Sequence, residues 1–262
     1  MDLGLRGKVA IVTGSSEGIG YAVARALAQE GARVALCGRR EGLLKEARDT
    51  LAEQTGAEVL AVPCDVQRLS DVHRLVRETV QRFGGIHILV NNAGSVPRIQ
   101  FTDTDDGQWY QLLEAKLLNY IRVAREVLPE MRKAGWGRII NIAGAAGLQP
   151  SPPSMATGLN NAAVINWTKS LSIQYAPDGI LATVVAPGAV DTPRQIRGQQ
   201  REAELRGLSR EEVLAERVRE IPLQRPGRPE EIADVVVFLA SERSSYMSGT
   251  CVTVDGGSTR GI

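Results

Sequence analysis

Short, nearly continuous apolar runs alternate along the chain with longer stretches whose apolar residues recur at helical spacing. Val9–Val12, Arg33–Cys37, Val59–Val62, Ile86–Val90, Arg138–Ile142, Leu181–Ala186 and Thr250–Val254 read as strands. Their lack of polar alternation is expected of strands covered on both faces. Between them, Ile19–Glu30, Leu43–Gln54, Leu69–Phe83, Asp106–Lys133, Met155–Ala176 and Glu230–Ala240 read as helices, with Gly31 closing the first and Pro229 opening the last. Strand–helix alternation implies right-handed crossovers and a parallel sheet with helices on both faces. No low-complexity linker interrupts the rhythm, so residues 1–262 are expected to form a single doubly wound α/β domain. The segment 190–222 departs from it, being long, polar and rich in Arg and Glu. It reads either as a solvated helix pair laced by i,i+4 ion pairs or as a substrate lid beyond the sheet's C-terminal edge.

Composition narrows the function classes. Lys and Arg number 31 against 30 Asp and Glu, a net charge of +1, which argues against a nucleic-acid partner that needs a basic face. Cys37, Cys64 and Cys251 are odd in number and scattered, so no disulfide framework or zinc motif can be written. With His73 and His87 the only histidines, no metal site is expected. The N-terminus lacks the apolar core of a signal peptide, and no run approaches the ~18 residues of a membrane span. A cytoplasmic protein without a membrane partner is expected.

Directly after the first strand stands Thr13-Gly14-Ser15-Ser16-Glu17-Gly18-Ile19-Gly20, then a helix. Glycines there allow a tight turn and close backbone approach, and the helix N-terminus presents its N–H groups and positive dipole end to an anion. The pattern points to a dinucleotide pyrophosphate site. The second strand ends in Gly38-Arg39-Arg40 rather than an acidic residue. Guanidinium groups there suit a 2′-phosphate, which favours NADP(H), with NAD(H) as the alternative.

Here the sequence resembles the short-chain dehydrogenase/reductase family, over nearly its whole length. Thr13–Gly20 looks like the family's TGxxxGxG loop, Asp65-Val66 like its adenine-contacting pair, and Asn91-Asn92-Ala93-Gly94 like its NNAG motif. Pro187-Gly188, with Val190 and Thr192, looks like the segment that holds the nicotinamide carboxamide, and Pro229–Ile232 and Asp255–Gly257 resemble its C-terminal signatures. The resemblance implies a Rossmann-type domain with a seven-stranded parallel sheet and a homotetramer or homodimer acting on a small-molecule carbonyl or alcohol. It also implies a cofactor site made of Gly14, Ser15, Ser16, Gly18, Ile19, Gly20, Arg39, Arg40, Asp65, Val66, Asn91, Ala93, Gly94, Pro187, Gly188, Val190 and Thr192.

The family's proton chemistry rests on a tyrosine with a lysine four residues later, so that both lie on one helix face. Four residues after Tyr21, Tyr110, Tyr120, Tyr175 and Tyr246 stand Arg25, Glu114, Ala124, Gly179 and Thr250. No Tyr-x-x-x-Lys exists in the chain. By the flanking pattern, Thr157 falls where the tyrosine belongs, Asn161 where the lysine belongs, Gly144 at the substrate-orienting serine and Lys116 at the asparagine. Lys116 also falls on the apolar stripe of its helix with Trp109, Leu112, Tyr120 and Val127. A lysine there snorkels to the rim, pairs with a buried acceptor, or serves as a functional amine with a lowered pKa. The candidate catalytic residues are therefore Lys116, Thr157 and Asn161. Ser151 and Ser154, in a Pro-rich loop, and His73 and His87, remote from the motifs, are weaker candidates.

Three function classes follow. The first is an atypical NADP(H)-dependent oxidoreductase working without the Tyr-Lys pair. The second is a non-redox lyase, isomerase or dehydratase using Lys116, and the third a dinucleotide-binding pseudoenzyme.

Overall fold

A computed structural model describes residues 2–97, 99–150 and 152–261. Its sheet comprises β1 (Val9–Thr13), β2 (Arg33–Gly38), β3 (Val59–Pro63), β4 (Ile88–Asn91), β5 (Gly137–Ile142), β6 (Ile180–Pro187) and β7 (Cys251–Val254). The strand order is β3-β2-β1-β4-β5-β6-β7, and every neighbouring pair is parallel. The chain winds outward from β1 to β3 and then crosses back to lay β4 on the other side of β1. The loops leaving β1 and β4 therefore part in opposite directions and open a crevice at the C-terminal edge of the sheet.

Alternation along the strands divides the core into two layers. Ala10 and Val12 of β1 face α1 (Gly18–Gln29), α2 (Glu41–Thr55) and α9 (Pro229–Ala240). Val9 and Ile11 face α3 (Leu69–Phe83), α5 (Asn119–Ala134) and α6 (Met155–Tyr175). Because both faces are covered, β1 is buried at every position. Side chains such as Leu27, Leu51, Ile88 and Leu89 are fully removed from water, each contributing about 1.5–3 kcal/mol.

The helix expected over Asp106–Lys133 is broken into pieces: α4 (Asp106–Leu113), a π-helical turn (Glu114–Leu118) and α5. The local pattern gave no sign of this, because the apolar stripe continues through the turn. Such a turn adds a residue to the helical ring and is often found at functional positions; here it carries Lys116. The segment 190–222 folds into α7 (Pro193–Arg206) and α8 (Arg210–Val218). Arg206 pairs with Glu202 and Glu216, and a Ser209–Glu212 capping box starts α8.

Candidate active site

The crevice is a cleft of about 870 Å³. Thr13 ties its two sides together: its hydroxyl accepts hydrogen bonds from the backbone N–H of Asn92 and of Ala93, both 2.9 Å, while the Asn92 amide donates to the carbonyls of Thr13 and Gly14. Two glycines of the loop leave no room for a side chain. A Cβ at Gly20 would lie 2.3 Å from the Gly14 carbonyl oxygen, and Gly14 itself has a φ of 65° with a Cβ position only 3.0 Å from the Ala93 backbone. No side chain caps the start of α1, and its first turn holds no acidic residue. Its free N–H groups thus face the cleft.

Eleven of the residues expected at a cofactor line this cleft: Gly14, Ser16, Gly18, Ile19, Arg39, Arg40, Asp65, Val66, Ala93, Gly94 and Thr192. Six do not. Ser15 is buried behind the loop, its hydroxyl donating to the Val12 carbonyl and accepting from the Cys37 N–H. Gly20 is the packing contact against Gly14. Asn91 is buried at the end of β4, with its amide on Asn141 Oδ1 at 2.9 Å. Pro187, Gly188 and Val190 lie at the end of β6 and just beyond, where Gly188 packs on Asp255 and Val190 bridges to Gly227. Reading the sequence missed Glu17, Arg194 and Arg197, which also line the cleft. Arg194 and Arg197 come from α7, so one end of that helix faces the cleft and the other is laced to α8.

None of the three candidate catalytic residues is among those lining the cleft, and the fold divides them: Lys116 and Asn161 come together, while Thr157 does not join them. Lys116 is buried, and its Nζ donates to Asn161 Oδ1 at 2.6 Å. The π turn delivers the amine, and α6 delivers the buried Asn161. The lysine thus pairs with a buried acceptor. Burial pushes the amine down to about 7, and the charge of Arg194 adds to the effect. Gly94 and Gly144 leave space for the pair: a Cβ at Gly94 would lie 3.0 Å from Lys116 Cγ, and one at Gly144 would lie 3.2 Å from Asn161 Nδ2. Thr157 stands apart, donating to the Val96 carbonyl at 3.5 Å.

Tyr120 sits beside the amine, its ring centroid 5.6 Å from Lys116 Nζ. Its hydroxyl donates to the Ile142 carbonyl at 3.0 Å, and burial holds the phenol far above its ordinary range, so it offers no acid. Ser154 precedes α6 and does not line the cleft, and Ser151 lies outside the described residues. His73 is a surface residue paired with Glu126. His87 accepts from the Val9 N–H at the opposite edge of the sheet.

A family model described as enoyl-(acyl carrier protein) reductase matches residues 14–259. Over 257 residues the chain is 33% identical to 3-oxoacyl-[acyl-carrier-protein] reductase of Aquifex aeolicus, covering 98% of this chain and 99% of that protein. The chain belongs to the short-chain dehydrogenase/reductase family. As a short-chain dehydrogenase/reductase it is also 34% identical to D-beta-hydroxybutyrate dehydrogenase of Rhizobium meliloti, covering 96% of this chain and 98% of that one. Its fold superposes on L-sorbose reductase from Gluconobacter frateurii, solved with NADPH and L-sorbose, with a TM-score of 0.96, 35% identity and full coverage of both chains. The match spans the glycine loop, the cleft and both helices of the 190–222 segment. Within this family the present chain is an oxidoreductase by descent whose sequence contains no Tyr-x-x-x-Lys.

Proposed function

We propose that this chain is an NADP(H)-dependent oxidoreductase that interconverts a carbonyl and an alcohol on a small molecule, with the Lys116 amine as its proton-transfer group. The observation that carries the reading is the buried Lys116 Nζ, held 2.6 Å from Asn161 Oδ1 and brought to about 7. A group poised near neutral pH both donates and accepts a proton readily.

The cleft fits a dinucleotide. Uncapped N–H groups of α1 and side-chain-free Gly14 and Gly18 suit a pyrophosphate, and Arg39 and Arg40 just after β2 suit a 2′-phosphate. NADP(H) is the cofactor, in keeping with the NADPH of the sorbose reductase complex. When bound, it supplies the hydride, so that carbonyl plus NADPH plus a proton gives alcohol plus NADP⁺. The chain's own residues handle the proton. Protonated Lys116 Nζ donates it to the substrate oxygen, and Asn161 Oδ1 keeps the amine oriented by accepting one of its hydrogens. Gly144, lacking a hydroxyl and a Cβ, leaves the Asn161 amide unobstructed. Thr157, bonded to Val96, has too weak an acid in its hydroxyl to replace a phenol.

The test is NADPH consumption at 340 nm across a panel of ketones, ketoses and 3-oxoacyl thioesters. Lys116→Met is expected to lower kcat/KM by about 10²-fold or more while leaving NADPH affinity unchanged. Full activity in that variant would remove the amine from the mechanism. Tight NADPH binding with no turnover on any substrate would favour a non-redox enzyme or a pseudoenzyme. The same reading carries assembly as a homotetramer or homodimer, for which the exposed Met155, Leu159 and Ile173 of α6 offer apolar surface.

A further inference from the structure

Glu17 stands inside the glycine loop, where a carboxylate faces the place of a bound polyphosphate. Two cations hold it there. Its Oε1 lies 2.8 Å from Arg40 Nη2 and 2.6 Å from Arg197 Nη2, and Arg197 Nη1 reaches Oε2 at 3.4 Å. All three side chains line the cleft. They come from three separate places: the loop after β1, the end of β2, and the second turn of α7.

We propose that Glu17 is an internal competitor for the 2′-phosphate of NADP(H): its carboxylate occupies Arg40 in the free protein, and Arg197 of α7 shares that carboxylate and so loosens its grip on Arg40. The inference rests on the NADP(H) reading above and adds to it a brake on 2′-phosphate affinity. A 2′-phosphate must draw the Arg40 guanidinium away from Glu17, because two anions converging on one guanidinium repel each other. A phosphate dianion with three acceptor oxygens wins that exchange, whereas the neutral 2′-hydroxyl of NAD(H) has no charge with which to compete. As Arg40 leaves, the carboxylate passes wholly to Arg197, which already binds both of its oxygens. The position of α7 therefore sets how readily Arg40 is released. The Glu17 carboxyl is accordingly held below its ordinary range, first by Arg197 and then by Arg40.

The pairs are partly exposed, so each is a modest effect. Titration of the full chain with NADPH and with NADH, followed by nucleotide fluorescence, reads them directly. Glu17→Gln is expected to tighten NADPH about three- to ten-fold and to leave NADH within about two-fold. Arg197→Leu, which returns the carboxylate wholly to Arg40, is expected to weaken NADPH. In an Arg40→Leu background, Glu17→Gln is expected to change nothing, since the contested guanidinium is gone. The proposal is overturned if Glu17→Gln tightens NADH as much as NADPH, for then the carboxylate acts only through its field on the shared pyrophosphate. A gain from Glu17→Gln that persists without Arg40 overturns it too. If neither dinucleotide binds the wild-type chain, the cofactor reading falls and takes this one with it. NADPH binding that is indifferent to Glu17 defeats the competitor alone.

Discussion

Lys116 is where a single residue carries most consequence. An ammonium group loses hydration when buried, so the neutral amine is favoured, and the nearby positive charge of Arg194 pushes the same way. In carbonyl reduction the amine must start protonated, so kcat should fall as pH rises through about 7. Alcohol oxidation needs the neutral amine and should show the opposite limb. Arg194→Leu removes a charge that disfavours protonation. Both limbs should then move to higher pH, as read from kcat–pH profiles in the two directions. Limbs that stay in place would mean that another group sets the profile. Lys116 itself could be singled out in the sequence, because a lysine on an apolar stripe is conspicuous. Asn161 was a candidate too, by its place in the family's pattern, but the pairing was not legible: the two lie 45 residues apart on different helices, and no local spacing encodes that contact.

Among the elements, the β1 loop and α1 form the most constrained unit. Gly20 has no tolerance for a side chain, because its Cβ position coincides with a backbone carbonyl that the loop needs in place. Gly20→Ala should therefore displace the Gly14 turn, lower the thermal midpoint and abolish NADPH binding, checked by a melt and a fluorescence titration. Wild-type affinity in that variant would show that the loop has another conformation available. The loop was readable because turn chemistry is local: glycines between a strand and a helix announce themselves. The π turn at Glu114–Leu118 was not, since it preserves the inward face that a continuous α-helix would also present. In the segment 190–222 the helix-pair reading holds, and α7 also reaches the cleft. Ion pairs lace α7 to α8, while Arg194 and Arg197 at the other end of α7 meet the cleft.

At the scale of the whole molecule, the sheet order brings the ends of β1, β2, β3 and β4 to one crevice, so residues far apart in sequence share a site. The flank formed by α6 leaves Met155, Leu159 and Ile173 exposed, surface that another copy of the chain would cover. Light scattering coupled to size exclusion should give a mass of two or four chains, and Leu159→Arg with Ile173→Arg should lower it. A wild-type monomer would rule that assembly out. The sequence by itself determined the seven strands, most of the helices between them, the phosphate loop and the absence of any Tyr-x-x-x-Lys, because periodicity, turn residues and motif spacing act over a few neighbours in the chain. Only the tertiary structure decided that Lys116 is paired with Asn161. It alone placed Ser15, Gly20, Asn91, Pro187, Gly188 and Val190 outside the cleft lining and set Glu17 between Arg40 and Arg197, 180 residues from the latter. Those outcomes depend on which side chains the packing of helices on the sheet brings within a few ångströms, and local sequence pattern carries no record of that.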